Sequence, residues 1–189
     1  LDVKYAGETV ASKLARIREE MKEAGTNVHV VSTIDDICWT LNIRGNDIDF
    51  FPLVLSYGII TMDSFELYID EKKLDDKLKA KLAKDGVNLH PYNDIYEDVK
   101  KFGSDVVAMI DPGKLNYALF NNIPENVKTV KKRNPAILMK AIKNPVEIEN
   151  IRKAQIKDSV AHVRFMKWLK ENVGKMRITE TVSYTHLRA

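Results

Sequence analysis

Three pairs of acidic residues are the first candidates for chemistry in this sequence. They are Asp35-Asp36, Asp47 with Asp49, and Asp75-Asp76. Two neighbouring carboxylates can hold a hard divalent cation. The first and last pairs open predicted helices, where acidic side chains stabilise the N-terminal end of the helix dipole, and that role explains them better than a metal does. The middle pair lies in a polar loop beside Arg44, and such a loop either makes a functional contact or pairs with itself in a turn.

The other reactive side chains form no recognisable constellation. The four histidines are His29, His90, His162 and His186. None has a second histidine four residues away, as a zinc-binding helix of the protease type requires. Cys38 is the single cysteine and sits beside Trp39 in an apolar predicted helix, so we expect a buried, inert thiol. The glycines are isolated, which excludes a Gly-rich phosphate-binding loop.

A short basic run at residues 128–133 carries four cationic side chains and could contact phosphate groups. Acidic residues are spread along the whole chain and are not segregated from this run. A solvated surface is therefore the simpler interpretation, and we predict no nucleic-acid partner.

Composition narrows the class of protein further. The chain has 189 residues, 44% of them hydrophobic, and a formal net charge of +3. One cysteine cannot form an intramolecular disulfide, and the apolar content excludes wholesale disorder. The longest apolar run, around residues 51–60, is interrupted by Pro52, Ser56 and Gly58, so no membrane partner is expected. No signal peptide follows the first residue, Leu1.

The elements that position these residues alternate between helices and strands. Apolar periodicity and turn residues predict strands near residues 28–31, 53–61, 65–69, 87–90, 106–110 and 127–130, a short extended piece at 136–138, and helices near 8–24, 33–41, 74–85, 93–102 and 114–121. The early hairpin at 53–69 is antiparallel, and helices separate most later strands. This order predicts an α/β fold with a mixed sheet of five or six strands flanked by helices.

The strongest helix signal comes last. Asn144 suits the N-cap, Pro145 the first helical position and Glu147 the third, and no glycine or proline follows before Gly174. The predicted helix is roughly 40 Å long at about 1.5 Å per residue. A helix of this length overhangs a domain of this size, so we assign it to another module.

Several stretches resemble the three-domain Xaa-Pro aminopeptidases (aminopeptidase P). The first stretch runs Trp39-Thr-Leu-Asn-Ile-Arg-Gly45-Asn-Asp47, with Pro52 and Ser56-Tyr57 after it. The second runs Lys140-Ala-Ile-Lys-Asn-Pro-Val-Glu147, continues through Arg152-Lys-Ala154 and Ile156-Lys-Asp158, and is similar to the start of that family's catalytic domain. Asp111-Pro112 and Asn116-Tyr117 match between the two stretches. The resemblance covers roughly residues 5 to 180.

The resemblance implies a specific architecture. Such enzymes have two successive N-terminal domains of the creatinase/prolidase type and a C-terminal pita-bread domain that holds two metal ions, usually manganese. In them the metals bridge a hydroxide and polarise the carbonyl before proline. This chain resembles the second N-terminal domain and the first helix of the catalytic domain. The family's ligands (two Asp, one His, two Glu) match no residue here, so we assign no catalytic residue, no metal ligand and no cofactor to this chain.

Further expectations follow from the same resemblance. The chain is expected to divide into the N-terminal-type domain at 1–139, the start of the peptidase domain at 140–180, and a non-native tail at 181–189, which contains His186. The parent enzyme is expected to be a cytoplasmic homodimer that acts on peptides. Within it, the partners of this domain are the first N-terminal domain and the catalytic domain. Arg44, Asn42 and Asp47 are the candidate interdomain or substrate-facing residues.

The function expected is that of a non-catalytic part of an Xaa-Pro aminopeptidase, which shapes substrate access and interdomain packing. The alternative is a stand-alone protein-binding module or pseudoenzyme built on the same domain.

Overall fold

The computed structural model describes residues 1–188, apart from the side chains of His186 and Arg188. The chain forms two compact units, residues 1–143 and residues 144–189. The expected tail at 181–189 is described as helix up to Arg188, while the side chain of His186 and all of Ala189 lie outside the described part.

Strands and helices alternate through the first unit, as the sequence predicts. Its strands are β1 (Val28–Val31), β2 (Ser56–Thr61), β3 (Phe65–Ile69), β4 (Val87–His90), β5 (Val107–Ile110) and β6 (Lys128–Lys131). Its α-helices are α1 (Val3–Ala6), α2 (Val10–Glu23), α3 (Ile34–Thr40), α4 (Asp76–Lys84), α5 (Ile95–Asp98), α6 (Tyr117–Asn122) and α7 (Pro135–Ala141), and short 3₁₀ turns occupy Glu71–Lys73 and Val99–Lys101.

In residues 1–188 the strands form one six-stranded sheet in the order β4-β3-β2-β1-β5-β6. The β2–β3 hairpin and the β1–β2 pair are antiparallel, whereas β3–β4, β1–β5 and β5–β6 are parallel. Parallel neighbours need a crossover connection, which the intervening helices supply. The predicted mixed α/β sheet is therefore confirmed, and β4 and β6 are its edges.

Each face of the sheet carries its own core. Helices α2 and α3 cover one face, where Leu14, Ile17 and Ile37 pack against Met109 of β5. Helices α5 and α6 cover the other face, where Ile95 and Leu119 join Ile110 among others. Adjacent residues of β5 thus enter opposite cores, because successive side chains of a strand point to opposite faces. Helix α3 belongs to the first of these cores, and the candidate loop begins at its C-terminal end.

The second unit is built on the long helix α8 (Pro145–Asn172), followed by α9 (Glu180–Arg188). The predicted N-terminus is confirmed. The Asn144 side chain accepts a hydrogen bond from Glu147 N, and the Glu147 carboxylate accepts one from Asn144 N. Ile151, Val160 and Val163 are exposed along α8. Among residues 1–188, none of the helices combines the length and apolar content that a membrane crossing needs.

One local prediction was wrong. Residues 136–138 are not extended but lie in α7, because Asn134 caps the helix through Ala136 N and Pro135 occupies its first turn. Thr33 precedes α3, but its hydroxyl makes no cap hydrogen bond to the helix backbone and instead donates to Asp36 Oδ2 at 2.6 Å.

Candidate interdomain site

The candidate loop starts from a buried lysine. Lys13 of α2 is only 1% exposed, and its ammonium donates to the Trp39 carbonyl at 2.8 Å and to Asn42 Oδ1 at 2.7 Å. The same ammonium lies 4.3 Å from the centroid of a ring of Trp39. Asn42 Nδ2 donates to the Glu8 carbonyl at 2.9 Å. The end of α3 is therefore fastened to α2 by polar groups that are almost wholly removed from water.

This fastening turns the chain sharply. Asn42 adopts a left-handed backbone conformation with φ of 53°, which asparagine tolerates better than most residues. Three residues further on, a Cβ added at Gly45 would lie 2.8 Å from Val54 Cβ and 3.1 Å from the Leu53 carbonyl oxygen. The segments of the loop around Gly45 and around Val54 thus lie so close together that position 45 has no room for a side chain.

Arg44 lies on the exposed side of this turn. Its Nη1 donates to the Cys38 carbonyl at 3.0 Å and to its neighbour Ile43 at 2.7 Å. The sequence left open a self-paired turn in which Arg44 binds Asp47 or Asp49. In the part of the chain that the structure describes, no ion pair joins Arg44 to either aspartate. The guanidinium is held by backbone oxygens at the end of α3, so its positive charge is not neutralised within the loop.

Asp47 closes the base of the loop. Its Oδ2 accepts hydrogen bonds from Leu55 N at 2.8 Å and from Lys73 Nζ at 2.6 Å. The hydrogen bond from Lys73 lowers the pKa of Asp47 below its ordinary value, with the Leu55 amide and the lysine charge acting in the same direction. The ionised Asp47 side chain therefore links the loop to the 3₁₀ turn before α4.

A small cavity of about 270 Å³ lies between this loop and α4, with Arg44, Asp47 and Lys73 in its wall. Beyond it the loop projects outward. Phe50 is 82% exposed and also has a left-handed backbone, with φ of 69°, and Phe51 beside it is exposed. A bulky residue with positive φ is uncommon and points to a conformation that its surroundings impose. The loop thus exposes one cation, Arg44, and the two aromatic rings of Phe50 and Phe51.

A second polar cluster supports the other end of α3. The ring of His29, fully buried, has Nδ1 at 3.1 Å from the Met109 carbonyl oxygen and Nε2 at 3.2 Å from Asn134 Oδ1. Asn134 Nδ2 donates to Asp36 Oδ2 at 2.9 Å, and Lys140 Nζ donates to Asp36 Oδ1 at 2.6 Å. The chain of contacts ties β1, α3 and α7 together. The residues lie up to 105 positions apart, so no local sequence signal could have shown it.

Burial determines the direction of the pKa shift of His29, whereas contacts with Lys140 determine that of Asp35. Burial lowers the pKa of His29 below its ordinary value and outweighs the opposing effect of its contacts with the acceptor oxygens of Met109 and Asn134. Burial would raise the pKa of Asp35, but its hydrogen bond and ion pair with Lys140 lower it overall. The cluster therefore holds a neutral imidazole beside a carboxylate–ammonium pair near neutral pH.

The other candidate residues make contacts that stabilise the fold. Asp75 caps α4 through Leu78 N at 2.7 Å, as the helix-dipole interpretation predicts. Cys38 is buried, and that burial raises the pKa of its thiol. Lys132, in the basic run, pairs with Glu20 at 2.9 Å. His90 Nε2 lies 2.6 Å from Glu66 Oε2 at the β4 edge, far from His29 in the sheet order.

Over the described side chains, no group of three or more His, Cys, Asp or Glu comes together as a metal site would require. The residues present therefore do not fit a di-nuclear metal centre of the kind that the resemblance implies for the catalytic domain.

A match to a known domain family covers most of the first unit. The Creatinase/Prolidase N-terminal domain model matches residues 1–147. The chain therefore belongs to the creatinase/prolidase N-terminal domain family.

Named relatives narrow this assignment. The chain is 39% identical over 176 residues to Xaa-Pro aminopeptidase 1 of Dictyostelium discoideum, and 34% identical over 182 residues to a probable Xaa-Pro aminopeptidase P of Neurospora crassa. Each comparison covers 92% of this chain and 27% of the relative. The predicted resemblance to Xaa-Pro aminopeptidases is confirmed, and the chain spans little more than a quarter of the length of these relatives.

Solved structures of peptidases share the fold of this chain. The chain superposes on the X-prolyl aminopeptidase of Caenorhabditis elegans with a TM-score of 0.92 and 31% identity, over 99% of this chain and 31% of that one. That protein is described as a cytosolic enzyme with a di-nuclear active site. An Xaa-Pro dipeptidase from Bacillus anthracis shares the fold, with a TM-score of 0.64 and 16% identity, over 95% of this chain and 48% of that one.

Proposed function

We propose that this chain is a non-catalytic part of a metal-dependent Xaa-Pro aminopeptidase, in which it shapes substrate access and packs against the other domains. The superposition on the C. elegans enzyme carries this proposal, because it extends over nearly the whole of this chain and under a third of that enzyme. The two divalent metal ions, which we expect to be manganese, then belong to the catalytic domain and not to residues 1–188.

The proposal assigns each unit a place. Residues 1–139 are the second N-terminal-type domain, residues 140–180 open the catalytic domain, and residues 181–189 are a non-native tail. The compact division after residue 143 lies close to this boundary. The exposed apolar residues of α8 support the assignment, because they need a packing partner that a catalytic domain would supply. The parent is proposed to be a cytosolic homodimer.

Arg44 is the residue proposed to contact either the peptide substrate or the catalytic domain. Three observations support this role: the guanidinium is exposed, its own partners are neutral carbonyls, and the loop that carries it is held rigid by Asn42 and Asp47. A fixed, uncompensated cation is suited to bind a carboxylate.

The sequence of the native transcript past Glu180 tests the assignment to a peptidase. We expect two Asp, one His and two Glu at the family's spacing. A native stop without them would leave a stand-alone binding module or pseudoenzyme as the function.

In the protein that continues into that domain, Arg44→Ala tests the role of the loop. We expect kcat/KM for a short Xaa-Pro peptide to fall about tenfold, the equivalent of one lost charge-assisted hydrogen bond, with Tm unchanged. Arg133→Ala, at an exposed position outside the loop, is the control. An unchanged kcat/KM for Arg44→Ala would end the proposed role of the loop.

A further inference from the structure

The edge of the sheet formed by β6 is open to another strand. Within residues 1–188, β6 pairs with β5 on one side and with no strand on the other. Lys132 N donates to the Ile110 carbonyl of β5 at 3.0 Å. The backbone groups of successive residues in a strand alternate in direction, so those of Thr129 and Lys131 point away from β5. This edge offers unpaired amide and carbonyl groups to an incoming chain.

An apolar groove runs beside this edge. It encloses about 390 Å³ between α6 and the sheet, and its walls include Tyr117, Phe120 and Lys131. Tyr117 is 77% exposed and Phe120 42% exposed, although both are large aromatic side chains on a helix whose other face is buried. Exposed aromatic side chains that line a groove mark a surface suited to contact with another chain.

Cationic side chains lie on both faces of the β6 edge: Lys131 lines the groove, and Lys128, three residues earlier, is on the opposite face. Lys128, Lys131 and Arg133 are exposed, and none of them forms an ion pair with a carboxylate in the described part of the chain. Lys132 is different, because Glu20 neutralises it. Lysines on an edge strand discourage pairing with neutral or basic strands, whereas they attract an acidic one.

We propose that the β6 edge and the groove beside it bind an extended acidic segment of another protein, which adds a strand to the sheet. Backbone hydrogen bonds to Thr129 and Lys131 give the register. Apolar side chains on one face of the segment enter the groove at Phe120 and Tyr117, and acidic side chains on the other face meet Lys128. This is the mode of recognition by strand addition. It is independent of the peptidase assignment and of the Arg44 loop.

The test uses the 189-residue protein and a labelled short peptide that alternates glutamate with valine. We expect saturable binding with a Kd below about 1 mM, weakened by salt, and slowed hydrogen exchange at the amides of Thr129 and Lys131. A peptide that alternates lysine with valine should bind at least about tenfold more weakly. Equal binding of the two peptides, or no binding at about 1 mM, would overturn the proposal.

Thr129→Pro is the sharpest variant. Proline is tolerated on an edge strand where the amide faces away from the sheet, yet it removes that donor and blocks an added strand. We expect Thr129→Pro to reduce binding at least about tenfold, while Thr129→Val, which keeps the amide, binds as the parent does. Lys128→Glu provides a second test that leaves the backbone intact, and it should also weaken binding about tenfold. Full binding by either the proline or the glutamate variant, with its fold retained, would contradict strand addition at this edge.

Discussion

Lys13 Nζ lies 2.7 Å from Asn42 Oδ1, and both residues are 1% exposed. The contact joins helix α2 to the first residue of the Arg44 loop. A buried ammonium is costly unless its hydrogens are bonded, and here the Trp39 carbonyl and the Asn42 amide oxygen accept two of them. Asn42 in turn keeps the left-handed backbone that directs Arg44 outward. The geometry of the candidate site thus depends on a residue in a different element.

Lys13→Met is expected to lower the free energy of unfolding by about 1–3 kcal/mol, because it removes the donor to the buried Asn42 Oδ1 and one of the donors to the Trp39 carbonyl. Lys22→Met is the matched control on the same helix. Lys22 is exposed and pairs with Glu19 across one turn, so its loss should cost less than about 1 kcal/mol. Urea unfolding of both variants checks the difference, and equal costs would show that the buried contact contributes little.

Gly45→Ala is expected to destabilise the loop, because the new Cβ would lie 2.8 Å from Val54 Cβ. Overpacking of this kind costs about 1–3 kcal/mol. The control is Gly113→Ala, where the nearest atom, an Asp111 carboxylate oxygen, would be at an ordinary contact distance of 3.5 Å. Thermal unfolding should separate the two variants, and a Gly45→Ala protein as stable as Gly113→Ala would mean that the loop relaxes without cost.

Asp36→Asn is expected to cost about 2 kcal/mol or more in the free energy of unfolding. Its buried carboxylate accepts bonds from Thr33, Asn134 and Lys140, and an amide would turn a donor toward one of these donors. The neighbouring Asp35 binds the same lysine, but its side chain is 53% exposed. Asp35→Asn should therefore cost less than about 1 kcal/mol. Similar losses in the two variants would argue against the buried network.

His29 gives the protein a specific dependence on pH. Burial lowers the pKa of folded His29 below the value near 6.5 that it has in the unfolded chain. The unfolded state therefore binds more protons below that pH. The stability contributed by the neutral imidazole is complete above about pH 6.5 and is lost as pH falls toward the lower pKa of the folded state.

Between pH 7 and pH 5, the free energy of unfolding should therefore fall more steeply in the wild type than in a His29→Gln variant. The exposed His162 on α8 is the control, and His162→Gln should keep the wild-type slope. Denaturant unfolding at a series of pH values measures the slopes. A His29→Gln protein with an unchanged slope would show that the imidazole does not titrate differently in the two states.

Local signals in the sequence predicted much of the fold. Asn144, Pro145 and Glu147 predicted the start of α8 because capping depends on residues a few positions apart. The alternation of elements likewise predicted a mixed sheet. Asn134-Pro135 carries a similar capping signal for α7. The extended piece predicted at 136–138 was wrong because a short apolar run is compatible with either a strand or a helix.

The candidate site was less accessible from sequence. The stretch from Trp39 to Asp47 could be singled out by resemblance, but the contact of Asn42 with Lys13 spans 29 positions and has no local signature. Arg44 binds backbone carbonyls, which any sequence provides, so its partners could not be read from residue types. Non-local contacts and backbone acceptors are thus the parts of the site that required the structure.

Manganese-dependent cleavage of an Xaa-Pro peptide, measured side by side for the 189-residue chain and for the protein that continues past it, tests the central claim most directly. The chain belongs to the creatinase/prolidase N-terminal domain family and is proposed to support catalysis without performing it. We predict that the longer protein releases the N-terminal residue and that the 189-residue chain releases none. Cleavage by the 189-residue chain, or none by the metal-loaded longer protein, would contradict this account.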